Sequence, residues 1–151
     1  MLRIVEGHTN KALSVMYTAS AAMKRGAFVT PNEDDMTVAP ATGATQYLVD
    51  VSPNYDGINA VIEPTDGAFE DIEEGQRVIL VPVLIGEKYA TSEVTKGSLT
   101  AGDRIAATSG KAAADEDGDW MYCGEYSDPT GIAMYTVKRV VVEPTAPGVG
   151  G

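Results

Sequence analysis

Short apolar runs alternate with turn residues along almost the whole chain, and this spacing predicts short β-strands rather than long helices. The clearest runs are 120–126 and 132–142, which are rich in aromatic and β-branched residues. They flank the breaker Ser127-Asp128-Pro129-Thr130-Gly131, so the pattern predicts a hairpin with a five-residue loop. Upstream, the stretch 96–106 indicates a tight turn at a glycine that leads directly into a strand.

Comparable apolar runs predict further strands at 27–30, 36–39, 47–51, 58–62 and 78–85. Turn residues separate them at intervals of about ten residues, which is typical of an all-β protein. We therefore expect a small β-barrel or β-sandwich of short antiparallel strands. The expected β domain covers 26–142, and the glycine- and proline-rich stretch 143–151 is predicted to be a disordered tail.

The first 25 residues fit two interpretations, an N-terminal arm or the first strand of the domain. Asn10 could cap a helix that ends near Arg25. The alternation of Leu13, Val15 and Tyr17 with smaller residues favours a strand instead. For Asn10 to Arg25 we therefore expect a strand rather than a helix, and the choice between arm and first strand stays open.

A weak internal sequence repeat suggests that the domain contains two similar half-units. The stretches 23–29 and 99–105 share one layout, with an apolar residue three positions before a glycine and another three positions after it. Tyr47 and Tyr122 then follow these glycines by 21 and 20 positions. The alternative is chance similarity, because β-hairpins share turn chemistry.

The charge balance narrows the classes of partner. The chain has 22 acidic residues against 11 lysines and arginines, a net charge of −11. Affinity for nucleic acid depends on basic side chains that displace counterions, so we expect no nucleic-acid partner. No apolar run approaches the ~20 residues of a membrane span, so we expect no membrane partner either. Cys123 is the single cysteine, which excludes an intrachain disulfide and indicates a buried, inert thiol.

Candidate catalytic and metal-binding residues are few. His8 is the single histidine, so a histidine-rich metal site cannot form. Carboxylates cluster at Asp115-Glu116-Asp117-Gly118-Asp119, but Trp120 stands at the glycine position of an EF-hand, so we expect a solvated loop. Phosphate-binding loops, CxxC pairs and nucleophile elbows do not occur. We therefore expect no enzymatic activity, no metal and no cofactor.

Three segments carry a resemblance to a known family: Lys-Gly-x-Leu-x-x-Gly-Asp-x-Ile at 96–105, Ala-Thr-Ser-Gly-Lys at 107–111 and Gly-Glu-Tyr at 124–126. With the succession of short strands, they resemble the small decoration (cement) proteins of tailed-bacteriophage heads. The resemblance implies a structural virion protein, made in the host cytoplasm, that binds the outside of an assembled capsid. It implies a homo-oligomer, a dimer or trimer, that bridges neighbouring copies of the major capsid protein. It implies no catalytic residues.

Two alternatives from other classes stay open. A trimeric β-barrel nucleotide hydrolase of the dUTPase kind has a similar length and strand content. Asn54-Tyr55-Asp56-Gly57-Ile58 is similar to one of its glycine-aspartate segments. The other alternative is a tail or adhesion binding module.

The N-terminal segment is the predicted attachment site. Four of the eleven bases fall in its first 25 residues, against the single acid Glu6. A basic and apolar segment on an acidic body suits docking by strand addition to a neighbouring sheet, or by packing of methionines. The residues expected to contact the capsid are Leu2, Arg3, Ile4, Val5, Leu13, Met16, Tyr17, Met23, Lys24 and Arg25.

Overall fold

All regular structure in the described part of the chain is β-sheet. The computed structural model describes residues 1–7, 14–51 and 70–142, and these ranges contain 13 strands and no helix. In chain order the strands are β1 (Leu2–Glu6), β2 (Ser14–Ala19), β3 (Met23–Lys24), β4 (Phe28–Asn32), β5 (Thr37–Pro40), β6 (Tyr47–Asp50), β7 (Asp71–Ile72), β8 (Arg77–Pro82), β9 (Lys88–Thr91), β10 (Arg104–Thr108), β11 (Lys111–Ala114), β12 (Trp120–Tyr126) and β13 (Met134–Arg139). The all-β prediction is confirmed. The strand predicted at 58–62 and the tail predicted at 143–151 lie outside the described residues.

Five strands close into a barrel, which we call the first unit. Their order around the barrel is β2-β5-β4-β6-β8, and β8 pairs back with β2. All neighbours are antiparallel except β2 and β5, which run parallel. The short strands β3 and β7 form a separate two-stranded sheet. The strand that we expected in the ambiguous N-terminal stretch is present as β2.

The strands β9 to β13 form a second unit with the same topology. They lie in a six-stranded sheet of order β1-β9-β13-β12-β10-β11, antiparallel throughout. A parallel bridge joins Val94, just beyond β9, to Ala112 in β11. Without β1, the order β9-β13-β12-β10-β11 matches β2-β8-β6-β4-β5 of the first unit. The parallel contact also falls at the same place, so the predicted half-units are present.

The two units agree in register, position by position. One row of side-by-side residues on β4, β6 and β8, which we call the apolar row, is Phe28–Leu48–Val81. The matching row on β10, β12 and β13, which we call the basic row, is Arg104–Met121–Lys138. Because neighbouring side chains alternate between the two faces of a strand, the flanking residues point to the interior. Those interior residues are Val29, Val49 and Leu80 in the first unit and Ile105, Tyr122 and Val137 in the second, all buried.

A glycine turn precedes each matching stretch. Gly26 has a φ of 92° and Gly102 a φ of 103°, a backbone conformation that favours glycine. The N–H of Gly26 donates to the carbonyl of Val49 at 2.8 Å. The N–H of Gly102 donates to the carbonyl of Tyr122, also at 2.8 Å. Each turn therefore fixes the strand that follows it against the fourth strand of its own unit in chain order, which is β6 in the first unit and β12 in the second.

The alignment inferred from the sequence needs a correction of two residues. The internal sequence repeat aligned Tyr47 with Tyr122. The structure instead aligns Tyr47, the first residue of β6, with Trp120, the first residue of β12. A shift of two residues keeps every side chain on the same face of a strand. The pattern of aromatic residues therefore could not reveal the error.

The apolar row makes the contact between the two units. Its three side chains are buried in one cluster with Ile105, Trp120 and Tyr122 of the second unit. The rings of Phe28 and Trp120 meet edge to face, with their centroids 5.0 Å apart. The indole N–H of Trp120 donates to the carbonyl of Thr45 at 2.9 Å. The outer wall of the first unit thus packs onto the second unit.

The matched rows give a test of this contact. Leu48 is fully buried in the apolar row, and Met121 occupies the same position, half-buried, in the basic row. We expect Leu48→Ala to lower the free energy of unfolding by about 2–5 kcal/mol, because it leaves a cavity. We expect Met121→Ala to lower it by about 1 kcal/mol or less. Equal losses in denaturant unfolding would show that the apolar row does not join the units.

Candidate functional site

The strand β1 forms the open edge of the six-stranded sheet. It pairs with β9 along one side, and no described strand lies along its other side. A register shift between Ile4 and Glu6 indicates a bulge at Val5. Residues Leu2–Glu6 therefore form a strand of the six-stranded sheet.

The predicted apolar contact residues divide into exposed and buried sets. Ile4 and Val5 are exposed on β1, by 60% and 38% of their surface. The other predicted apolar contacts whose side chains are described are buried or half-buried in the two cores: Leu2, Tyr17 and Met23. Met16 lies in β2, and Leu13 lies outside the described residues. The surface that a partner can reach is therefore centred on Ile4 and Val5.

The predicted basic contacts that the structure describes are each paired with a carboxylate. The pairs are Arg3–Asp128, Lys24–Asp71 and Arg25–Asp50. Arg25 is also buried, with 2% of its surface exposed. At these three positions the bases of the N-terminal segment are therefore paired with carboxylates of the same chain, and the exposed apolar part of β1 is the remaining candidate surface.

A cavity adjoins this edge at the loop between β12 and β13. It has a volume of about 520 Å³ and is lined by Arg3, Tyr126, Asp128, Pro129 and Thr130. The Nε of Arg3 donates to Oδ1 of Asp128 at 2.8 Å. This hydrogen bond lowers the pKa of Asp128 to about 2, against the opposing effect of burial. The pair fixes the loop to β1 and gives the cavity a rigid, ionised wall.

The start of β1 is anchored by the α-amino group of Met1. That group donates to the carbonyl of Arg25, to Oε2 of Glu70 and, at 2.8 Å, to Oγ of Ser92. Burial lowers the pKa of the amino group, partly offset by the hydrogen bond and charge of Glu70. The Met1 side chain is fully buried with Ala90. The start of the edge strand is therefore held firmly in place.

A second open cavity lies between the units and was not expected from the sequence. It has a volume of about 530 Å³, and its lining includes Tyr47, Ile85, Asp119, Arg139 and Val141. The N–H of Thr45 donates to Oδ2 of Asp119 at 2.9 Å, which joins the two units. Burial raises the pKa of Asp119, and its Oδ1 is buried without a hydrogen-bond partner among the described residues.

The acidic loop is therefore only partly the solvated loop that we expected. Asp115 and Asp117 are exposed, and the N–H of Asp117 donates to Oδ1 of Asp115 at 2.9 Å. Asp119 differs, because it is half-buried and holds the first unit through Thr45. A sequence pattern of acids cannot distinguish these roles, since the partner of Asp119 lies 74 positions away.

The remaining candidate residues add no further site. His8 and the stretch Asn54 to Ile58, on which the hydrolase alternative rests, lie outside the described residues. Cys123 is half-buried, and burial raises the pKa of its thiol. Within 1–7, 14–51 and 70–142, no three His, Cys, Asp or Glu residues converge as they would around a metal ion. The same ranges contain no helix that is long and apolar enough to span a membrane.

Comparisons of the chain with protein-family models, with curated proteins and with solved structures each give no match. The open edge of β1 is the feature of the structure that bears most directly on function.

The Arg3–Asp128 pair gives a pH-dependent prediction. An aspartate whose pKa is about 2 in the folded state and 3.8 when unfolded stabilises the fold above pH 3.8. That stabilisation disappears as the pH falls through 3.8 towards 2. At neutral pH we expect Asp128→Asn to lower the free energy of unfolding by about 1–2 kcal/mol. We expect this difference to vanish near the folded-state pKa of Asp128, about 2.

Asp71→Asn is the matched control, because Asp71 pairs with Lys24 on the exposed surface. An exposed ion pair contributes about 0–1 kcal/mol, so this variant should unfold almost as the parent protein does. A deficit of Asp128→Asn that persists unchanged at acidic pH would contradict the assigned ion pair.

Proposed function

We propose that this protein is a structural virion protein that binds the outer surface of an assembled phage capsid and reinforces contacts between major capsid subunits. The observation that carries the proposal is the open edge of β1, with Ile4 and Val5 exposed on an otherwise integrated strand. Natural proteins usually protect such edges with charges, prolines, β-bulges or a covering segment, because an open apolar edge promotes pairing with another chain. The strand β1 has one such device, the bulge at Val5, and no described strand covers the rest of its edge. An edge kept open suits a protein whose task is to bind.

The proposed contact is strand addition. An extended segment of the capsid protein pairs with the free backbone groups of β1, and its side chains lie alternately on the two faces of the sheet. On one face such a segment meets Ile4. On the other it meets the cavity beside Arg3 and Tyr126, whose volume of about 520 Å³ can receive a side chain. Backbone pairing supplies affinity, and the cavity supplies specificity.

Preorganisation favours this contact. The strand is anchored through Met1, its Leu2 side chain is buried, and Arg3 is held by Asp128. Because these groups are ordered before binding, the association loses little conformational entropy at β1. In this proposal the protein binds the assembled capsid and not its free subunits. Binding therefore stabilises the assembled capsid by mass action.

A charge placed on the edge tests the proposal. We expect Ile4→Lys to fold normally, because the side chain is 60% exposed, and to lose at least ~10-fold in affinity for assembled capsids that lack the protein. Co-sedimentation with those capsids measures the affinity, and circular dichroism checks the fold.

Val141→Lys is the control, because Val141 is another exposed apolar residue, at 55%, located away from β1 beside the cavity between the units. It should co-sediment like the parent protein. Unchanged co-sedimentation of Ile4→Lys would overturn the proposed site. Truncation of residues 1–9 is a poorer test, since it also removes buried Met1 and Leu2 from the cores.

A further inference from the structure

Exposed apolar side chains are concentrated around the cavity between the units. Within the described residues six large apolar side chains are exposed, and four of them lie here, each by 45–56% of its surface: Leu84, Ile85, Val141 and Val142. The last three line the cavity. The N–H of Gly86 donates to the carbonyl of Arg139 at 2.8 Å, which holds the turn between β8 and β9 beside the end of β13. An apolar patch around a concave surface is typical of a binding site.

The cavity suits a bulky apolar group. Its volume of about 530 Å³ lies in the range of ligand pockets. The first unit contributes Pro31 and Tyr47 to the lining, and the second unit contributes Val140. A small molecule inside the cavity would leave the apolar residues around it, such as Leu84, exposed. A segment of a protein can insert one side chain and also cover these residues, as the anchors of protein interfaces do.

The charges of the lining favour an uncharged occupant. One acid, Asp119, and one base, Arg139, line the cavity. An anion in the cavity would be repelled by Asp119 and a cation by Arg139, so neither gains much from the pair. The net charge of −11 disfavours an anion further. An apolar side chain on a neutral peptide segment meets neither penalty.

Arg139 offers hydrogen-bond donors to such a segment. Its Nη1 donates to Oε1 of Gln46 at 3.3 Å and to the carbonyl of Val83 at 2.8 Å. A guanidinium group has five N–H donors, and the Nε and Nη2 of Arg139 have no acceptor within the described residues. A peptide carbonyl is a neutral group that accepts such a hydrogen bond. Arg139 can therefore orient a peptide that an apolar cavity alone would not orient.

Hydrogen bonds fix the walls of the cavity. The N–H of Thr45 donates to Oδ2 of Asp119 at 2.9 Å, and its hydroxyl donates to the carbonyl of Val29 at 2.6 Å. The N–H of Leu84 donates to Oε1 of the buried Glu87 at 2.7 Å, which fixes the turn between β8 and β9. Since these walls are already ordered, binding loses little conformational entropy there.

We propose that the cavity between the units binds a peptide segment of a partner protein, which inserts one bulky uncharged side chain and whose backbone carbonyl accepts from Arg139. The exposed residues around the cavity contact the segment on either side of that side chain. The cavity shares no lining residue with the one beside β1. This inference therefore goes beyond the proposed function and does not depend on capsid binding.

A titration followed by amide NMR tests the site on the full chain. The probe is N-acetyl-tryptophanamide, which carries a bulky uncharged side chain between two amide groups. We expect a dissociation constant on the order of 1 mM, with shifts at the amides of Thr45, Ile85 and Val141 and none at Ile4. N-acetyl-glycinamide lacks the side chain and methylindole lacks the amide groups, so each should bind at least ~5-fold more weakly.

A charge beside the cavity locates the binding. Ile85 is 56% exposed, so Ile85→Lys should fold normally and should weaken the binding of N-acetyl-tryptophanamide at least ~5-fold. Ile4→Lys is the matched control, because Ile4 is 60% exposed on β1, and it should bind the probe as the parent protein does. Circular dichroism and thermal unfolding establish that both variants are folded. No binding to the parent protein, or equal binding to Ile85→Lys, would overturn the proposal.

Two further outcomes would assign the cavity to another occupant. Methylindole that binds as tightly as N-acetyl-tryptophanamide would show a site for small apolar molecules, without recognition of a peptide group. Sedimentation velocity covers the other case, because an oligomer of the parent protein that Ile85→Lys dissociates would show that a second copy occupies the cavity. Either result would overturn the proposal that a partner protein binds there.

Discussion

The structure depends on the burial of one wall of the first unit. One part of the outer surface of the first barrel is formed by phenylalanine, leucine and valine side chains. Exposing these side chains to water would cost free energy. The apolar row solves this by packing onto the second unit, where Phe28 meets Trp120 edge to face at 5.0 Å. Residues on both sides of this contact belong to one hydrophobic cluster, so the two units share a core, which is separate from the core inside the first barrel.

A second contact between the units positions the open edge of β1. Thr91, at the end of β9, donates through its hydroxyl to the carbonyl of Gly26 at 2.7 Å, which ties the second unit to the glycine turn of the first. A β-carbon at Gly26 would lie 2.4 Å from the carbonyl oxygen of Met1, so glycine is needed for this close approach. The strand β1 therefore begins at the junction of the two units and extends along the second.

The local elements were predictable from the sequence, and the long-range pairings were not. Apolar runs bounded by Gly, Pro and Asp gave the β12–β13 hairpin, although its second strand begins at Met134 rather than Ile132. The repeat was visible because its glycine turns lie close in sequence to the strands that they fix. The Arg3–Asp128 pair joins residues 125 positions apart, and no spacing rule connects them. The sequence therefore shows that bases are concentrated in the N-terminal segment, but not that carboxylates far along the chain pair with them.

The central claim is that the two equivalent units form one cooperative structure through the apolar row. Native-state hydrogen exchange tests it at two matched amides, that of Val49, which donates to Ala27 at 3.0 Å, and that of Tyr122, which donates to Asp103 at 2.8 Å. If the units unfold together, both amides should exchange with the same opening free energy, close to that of global unfolding. Exchange of Val49 through a lower-energy opening, while Tyr122 stays protected, would show that the first unit opens by itself and would contradict the account.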